Sequence, residues 1–231
     1  PGQWKIERRF PGITREIRTI AHGTGNCLWL GTETRGVLHV EFPGGLEGKV
    51  NVSVYSGKHG LPGEGMRVFN AAGRVWFASK SYGLYTFDSN ARRFLPDTRL
   101  GDLFAGGSRG VYTIAEDSRG RIYMHSKGHN FLAVPGENHT YRILSQPLKH
   151  MPVEQVNCIY PSPGGQSAWF AALSGLLRYS PGERSNNAVP FSCVIRQVTV
   201  NGVPLLYAPD TNVYLERMPF MAGKRIPAIP Y

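Results

Sequence analysis

Two apolar segments joined by a polar turn decide the fold of this chain: Cys27-Leu28-Trp29-Leu30-Gly31-Thr32 and Gly36-Val37-Leu38-His39-Val40. This stretch places an aromatic residue inside an apolar strand, and then a turn, a glycine and a second apolar strand. The same phrase returns around Trp76, Tyr123 and Trp169, at intervals of 47, 47 and 46 residues counted from Trp29. We call these four residues the marker aromatics. So regular a period is typical of repeat proteins in which each unit packs against the next.

Each unit contains four short predicted strands. The strand before the marker aromatic carries two apolar positions that we predict to point inward: Ile17 and Ile20, then Val111 and Ile114, then Val156 and Ile159. Turns rich in Gly, Asn, Asp and Ser separate this strand from the marker strand, as in tight hairpins. A more polar fourth strand is predicted at residues 49–55, 92–95 and 140–145. Four antiparallel strands in about 47 residues indicate a β-propeller blade.

The predicted fold class is therefore all-β, with about four propeller blades. The chain holds 28 Gly and 17 Pro, and few apolar runs exceed six residues, so helix has little support. A β-helical solenoid would need shorter repeats, and a sandwich would not repeat its sequence. After the repeats, Asn201-Gly202 stands between two apolar segments, which is a strong hairpin signal.

The sequence of the repeat resembles that of a known family. The L-W-L-G-T phrase, Gly60-Leu61-Pro62 and the turn Glu116-Asp117-Ser118-Arg119-Gly120-Arg121 together resemble the two-component regulator propeller repeat over residues 14–180. Residues 191–206 resemble the first strands of the three-Y domain, an immunoglobulin-like sandwich. The resemblance implies four blades at about residues 14–60, 61–106, 107–152 and 153–188, and the beginning of a three-Y domain at 189–231.

The resemblance also implies that the blades belong to a larger ring. Propellers of that family usually have seven blades, which need more than the 231 residues of this chain. We therefore expect a C-terminal part of a longer propeller, in which residues 1–13 supply the outer strand of a preceding partial blade, with its strand at residues 4–10. A self-contained ring of four or five blades is the alternative.

Composition limits the partners. The formal net charge is +10, but the basic residues are scattered singly, so we expect no nucleic-acid partner and favour an anionic or carbohydrate ligand. No apolar run reaches the roughly 18 residues of a membrane span. The three cysteines form no C-x-x-C motif, so neither zinc nor redox chemistry is expected. Cys27 and Cys158 are expected to be buried thiols.

The candidate ligand site lies in loops. In propellers, the turns between the second and third strands of a blade share one face with the links between blades. On that face we predict a basic and aromatic rim for an anionic or sugar ligand: Arg35, Lys58, His59, Lys80, Tyr82, Lys127 and His129. The alternative is that these are solvated loop residues. The four marker aromatics are predicted to be structural, and His125 to be a core histidine; no metal or cofactor is implied.

No catalytic motif is present: G-x-S-x-G, H-E-x-x-H and the P-loop are absent, so this part of the protein is predicted not to be an enzyme. The resemblance implies the ligand-sensing periplasmic region of a bacterial membrane signalling protein. Its partners would be the rest of its propeller, its three-Y domain and a second copy in a homodimer, with a cytoplasmic histidine kinase or diguanylate cyclase as output. A protein-interaction scaffold and a streptogramin-type lyase that uses His125 or His129 are the alternatives.

Overall fold

The computed structural model describes residues 3–107, 109–137, 140–181, 197–200 and 203–207. The chain divides into two compact units, Pro1–Glu183 and Arg184–Tyr231. Every regular element of the described residues is a strand, apart from single 3-10 turns at Gly57–His59, Asp102–Phe104 and Gln146–Leu148. None of these helical turns is long and apolar enough to cross a membrane. The all-β prediction is confirmed.

The strands of the first unit form separate antiparallel sheets in chain order, so the predicted propeller blades are confirmed. Blade 1 contains β1 (Ile17–His22), β2 (Cys27–Thr32), β3 (Val37–Glu41) and β4 (Asn51–Tyr55). Blade 2 contains β5 (Met66–Ala71), β6 (Arg74–Ser79), β7 (Gly83–Asp88) and β8 (Arg93–Pro96). Blade 3 contains β9 (Thr113–Glu116), β10 (Ile122–Ser126), β11 (His129–Pro135) and β12 (Tyr141–Leu144). In the described part of blade 4 the strands are β13 (Val156–Pro161), β14 (Ala168–Ala172) and β15 (Gly175–Tyr179).

Adjacent blades pack through their sheet faces. The marker aromatic points at the next blade, and the residue after the corresponding marker of that blade points back. Trp29 thus meets Phe77 with ring centroids 4.9 Å apart, and Tyr123 meets Phe170 at 6.1 Å. A four-stranded sheet has two faces, and this alternation buries one against each neighbour.

The inner strands contact one another in order, β1 with β5, β5 with β9 and β9 with β13. Trp29, Trp76 and Tyr123 are 5%, 1% and 0% exposed, whereas Trp169 is only half-buried. On the side of β13 and β15 away from blade 3, Tyr160 and Leu176 are 60% and 65% exposed. The described residues of blade 4 therefore leave one apolar face uncovered by any other described residue.

The strand predicted at residues 4–10 is not formed. A strand needs a hydrogen-bonded partner, and no described residue pairs with this segment. The segment instead covers one part of the outer face of blade 1, the face away from blade 2: Phe10 meets Phe42 edge-on at 5.8 Å, and Arg8 donates to the Gly48 carbonyl oxygen at 2.8 Å. Its assignment to a preceding blade stays a prediction.

Two burial predictions are wrong, for different reasons. Ile20 is 64% exposed because it lies, beside Leu30 and Leu38, on the face of blade 1 away from blade 2, and no other blade among the described residues covers that face. Cys158 is exposed because a register shift in β13 turns it away from the face that Val156 and Ile159 bury, whereas Cys27 is buried as expected. Of the other inward positions, Val111, Ile114, Val156 and Ile159 are buried as predicted, and Ile17 is half-buried.

The second unit contains a hairpin within its described residues. Strands β16 (Gln197–Val200) and β17 (Val203–Tyr207) pair antiparallel on either side of the Asn-Gly dipeptide, which confirms the predicted hairpin. The rest of the predicted three-Y segment lies outside the described residues. The boundaries predicted for the four blades and the three-Y domain stay predictions.

Candidate functional site

The starts of the inner strands and the turns between second and third strands lie at the same end of each blade. Antiparallel pairing causes this, since the end of each marker strand lies beside the start of the inner strand: Ile17 is opposite Thr32, and Met66 is opposite Ser79. Polar side chains from both kinds of segment can therefore meet there.

Five such residues form a contiguous group, which we call the inner-strand cluster: Arg18, Glu33, Arg67, Lys80 and Tyr112. The Arg67 guanidinium carbon lies 4.0 Å from the centroid of the Tyr112 ring, and Lys80 Nζ lies 5.8 Å from the same centroid. Lys80 Nζ contacts Glu33 Oε1 at 2.8 Å, and Arg18 Nε contacts Glu33 Oε2 at 2.9 Å. The cluster therefore joins segments of three blades through ion pairs and cation–π contacts.

The charges of the cluster are unevenly satisfied. The hydrogen bond from Lys80, helped by the charges of Arg18 and Arg67, holds the pKa of Glu33 below its usual value, so this carboxylate is ionised at neutral pH. Arg18 also contacts Glu16 at 2.8 Å. Arg67 Nε is buried and has no hydrogen-bond partner among the described residues. Arg67 therefore keeps an unpaired donor, itself buried, on the guanidinium that stacks on Tyr112.

His125 lies beside the cluster and is a core residue. Its ring centroid is 6.4 Å from that of Tyr112, and its Nδ1 lies 2.9 Å from Asn130 Oδ1. Burial lowers the pKa of His125, so the imidazole is neutral at pH 7. Across the described residues, no group of three or more His, Cys, Asp or Glu side chains could hold a metal ion.

In each blade, one side chain holds the turn between the second and third strands. This side chain always comes two residues before the first inward-pointing residue of the blade's first strand. Arg15 donates to the Arg35 carbonyl oxygen at 2.6 Å, and Arg109 Nε donates to Ser126 Oγ at 3.1 Å. In blade 2, Glu64 accepts hydrogen bonds from the turn, including that of Ser81 Oγ at 2.9 Å. In blade 4, Glu154 accepts from the Ser174 backbone N–H at 2.8 Å. These contacts hold the loop face in place.

Of the seven predicted rim residues, Lys80 lies in the inner-strand cluster, and Lys58 and His59 lie together in a separate pocket. Lys58 and His59 line an open pocket of about 700 Å³ with Arg92 and Arg93, beside the outer strand β4. His59 Nδ1 accepts a hydrogen bond from the Ser56 backbone N–H at 3.1 Å. This pocket is basic, but it is separate from the cluster.

The remaining four predicted residues are distributed along the loop face. His129 lines a pocket of about 430 Å³ with Arg109 and Lys149. Lys127 is exposed in a turn with a φ of 46°. Arg35 is exposed, and Tyr82 is 47% exposed. The structure therefore does not bring the seven residues into one site.

Of the five members of the cluster, only Lys80 belongs to the rim predicted from the sequence. The three members from the inner strands and the link before β9 were missed: Arg18, Arg67 and Tyr112. Each directly follows the first inward apolar residue of its unit, which is Ile17, Met66 or Val111. This shared position was the available signal. In a single sequence it looks like any polar residue that alternates with a buried one.

The described fold and this cluster define a set of β-propeller blades with a basic, aromatic group at the starts of the inner strands. No protein-family model and no curated protein matches the chain. Two solved structures of the extracellular domain of BT4673 from B. thetaiotaomicron are similar. One, assigned as a hybrid two-component system, has 18% identity and a TM-score of 0.53 over 78% of this chain and 22% of that chain.

The other BT4673 structure, assigned as a one-component system, has 14% identity and a TM-score of 0.52 over 72% of this chain and 24% of that chain. The extracellular domain of BT3049, assigned as a hybrid two-component system of the same organism, has 14% identity and a TM-score of 0.40 over 73% of this chain and 29% of that chain. The chain spans about a quarter of the length of the BT4673 structures it matches. At these identities, the likeness to BT4673 concerns the fold.

Proposed function

We propose that this chain is the ligand-sensing part of an extracytoplasmic propeller in a two-component-type signalling protein, and that the inner-strand cluster binds an anionic or carbohydrate ligand. The observation that carries the proposal is the convergence of three blades on the inner-strand cluster, through the Arg67–Tyr112 contact and the Lys80–Glu33 ion pair. A ligand held there touches β1, β5 and the link before β9 together. It can therefore favour one arrangement of the blades over another, which is how binding shifts a conformational equilibrium.

The chemistry of the cluster suits a carboxylate or sulfate group on a sugar. Arg67 offers a planar fork of donors for an oxyanion, with its Nε unpaired among the described residues, and Tyr112 offers a ring on which a sugar can stack. Glu33 can accept hydrogen bonds from sugar hydroxyl groups through the lone pairs that Lys80 and Arg18 leave free. The net charge of +10 attracts an anionic ligand toward the protein.

The fold supports the signalling part of the proposal, because the similar BT4673 structures are extracellular domains of assigned one- and two-component systems. By this analogy, the chain lies in the periplasm, and its signal passes through the three-Y domain and a homodimer to a cytoplasmic output domain. A shared fold supports a shared function less strongly than a shared site does, so the decisive experiment is one on the site itself.

We further propose that the outer face of blade 1 receives another blade of the same propeller. Leu30 and Leu38 stand at the positions that Phe77 and Tyr85 use in blade 2 to contact the preceding blade. Around them lie apolar side chains that are 64%, 40% and 45% exposed: Ile20, Val52 and Val54. Solution scattering tests this. An open or self-associating species is expected, whereas a compact, monodisperse monomer would contradict it.

Calorimetric titration with acidic and neutral oligosaccharides tests the ligand class. We expect heat from acidic oligosaccharides, less or none from their neutral counterparts, and a weakening of affinity as salt rises. No heat from any glycan would contradict the proposed site and leave the protein-interaction scaffold as the better account. Turnover of a substrate in the presence of a metal ion would instead favour the lyase.

A further inference from the structure

A second pocket lies at the opposite end of the blades, between blades 2 and 3. It has a volume of about 470 Å³ and is lined by residues of the β5–β6 and β11–β12 turns, of the adjoining strands and of the segment that follows β8. The residues that matter for its chemistry are Ala72, Arg74, Trp76, Arg99, Pro135 and Tyr141. None of the rim residues predicted from the sequence belongs to it, and neither does any member of the inner-strand cluster.

The walls of the pocket are apolar and rigid. Trp76 is 1% exposed and forms the buried base of the pocket, and its indole N–H already donates to the Ala71 carbonyl oxygen at 2.9 Å, so it offers no donor. Tyr141 is half-buried, and Pro135 and Ala72 complete the apolar lining. The Ala72 backbone N–H is occupied, because it donates to Glu116 Oε2 at 2.8 Å. A ring with at least one apolar face fits such walls.

Two arginines of the pocket differ in how far their charges are satisfied. Arg99 is held by buried Asp97, with its Nε 3.0 Å from Oδ1 and its Nη2 2.9 Å from Oδ2. Arg99 also lies 5.8 Å from the centroid of Trp76, so it is fixed and largely neutralised. Arg74 is exposed and forms no hydrogen bond or ion pair with any described residue, and its charge acts on Asp97 only at longer range, where it opposes the rise that burial causes in the pKa of that carboxyl. Within the described lining of the pocket, Arg74 is therefore the cation whose donors are available at the mouth.

We infer that this pocket binds a small carboxylate carried on a six-membered ring with one apolar face, such as an aromatic carboxylate or a uronate. The carboxylate pairs with the Arg74 guanidinium fork, and the ring packs against the half-buried Tyr141 and against Pro135. The site is separate from the inner-strand cluster, so it does not depend on the function proposed above.

Titrations with benzoate and with glucuronate test the inference, with benzamide and glucose as their neutral counterparts. We expect at least one carboxylate to bind and its neutral counterpart to bind at least tenfold more weakly. Binding of benzoate would indicate an aromatic ligand, and binding of glucuronate would indicate a sugar ligand. Equal binding of the neutral counterpart, or no binding of either carboxylate, would overturn the inference.

Matched variants locate the binding. Arg74→Gln is expected to weaken the carboxylate at least tenfold, and Arg74→Lys less than that, because a lysine keeps the charge but loses the fork. Arg119→Gln removes the same charge from an exposed hairpin turn of blade 3 and is expected to change the affinity less than twofold. Arg67→Gln is also expected to leave it unchanged. Thermal melting checks that each variant is folded. Equal losses in Arg74→Gln and Arg119→Gln would mean that only net charge is sensed, which contradicts the site.

Discussion

The Arg67 guanidinium stacks on the Tyr112 ring across a blade boundary, with its central carbon 4.0 Å from the ring centroid. Arg67 belongs to the inner strand of blade 2, and Tyr112 to the link that enters blade 3. The contact therefore ties two adjacent blades together at the loop face, next to the Glu33–Lys80 ion pair that ties blade 1 to blade 2. The same contact holds the parts of the proposed ligand site in register.

A double-mutant cycle measures the strength of that contact. For Arg67→Gln and Tyr112→Leu we expect a coupling of about 0.5–2 kcal/mol in the free energy of unfolding, the usual range of a cation–π pair. Urea denaturation of the two single variants and the double variant gives the value. Arg178 and Trp169, at 5.8 Å on the more exposed blade 4, form the comparison pair and should couple less. Additive effects of the first two substitutions would show that the stacking contributes nothing.

The marker aromatics should differ in their contribution to stability according to burial. Trp76→Ala, at a site 1% exposed, is expected to lower the free energy of unfolding by about 3–5 kcal/mol, because it removes a large buried side chain and leaves a cavity. Trp169→Ala should cost less than half of that, since Trp169 is only half-buried. Urea unfolding of both variants checks the order. An equal or larger loss in Trp169→Ala would contradict the assigned packing of the markers.

Gly110 allows the link before blade 3 to pass close to the Lys80 turn. A Cβ at Gly110 would lie 1.7 Å from the Lys80 carbonyl oxygen, so Gly110→Ala must displace the turn. We expect a loss of about 1–3 kcal/mol in unfolding free energy, the usual cost of overpacking, together with weaker ligand binding. Gly63→Ala is the matched control, because nothing lies within 4 Å of its Cβ position. Wild-type stability and affinity in Gly110→Ala would refute this close approach.

Acid should destabilise the protein through His125. Burial lowers the pKa of His125 in the folded state below its ordinary value of 6.5, so the unfolded chain binds more protons as pH falls below 6.5. The contribution of His125 to stability is therefore complete above pH 6.5 and is lost as pH falls toward the folded-state pKa, with a slope of at most about 1.4 kcal/mol per pH unit.

His125→Gln removes this dependence, and the difference between the wild-type and variant unfolding curves across pH 4.5–7.5 isolates it from the other titrating groups. His22→Gln, at an exposed site, is the control for the loss of a histidine side chain. A pH profile in His125→Gln that matches that of the wild type would contradict the assignment.

The sequence was sufficient for the blades because their packing repeats with the chain. Trp29, Trp76 and Tyr123 recur at a fixed interval since each one fills the same space between two sheets. Local register was less predictable. Cys158 stands two residues after the buried Val156, but the register shift between them turns it outward, and nothing in the sequence marks that shift.

The candidate site was only partly predictable, because its members come from different blades and do not repeat. Lys80 could be predicted from its place in a turn on the loop face. Arg67 and Tyr112 could not, since they are 45 residues apart and meet only after the two blades pack. Lys58 and His59, which share the same loop face in sequence, lie instead beside the outer strand β4. Sequence spacing identifies the face but not the distance of a residue from the inner strands.

The most direct test of the central claim is a calorimetric titration of wild-type protein, Arg67→Gln and Arg119→Gln with an acidic oligosaccharide at fixed ionic strength. The proposed site predicts at least tenfold weaker binding in Arg67→Gln, because the guanidinium that would pair with the oxyanion is lost, and less than a twofold change in Arg119→Gln, which carries the same change in charge. Unchanged affinity in Arg67→Gln, with the fold intact by thermal melting, would contradict a ligand site at the inner-strand cluster.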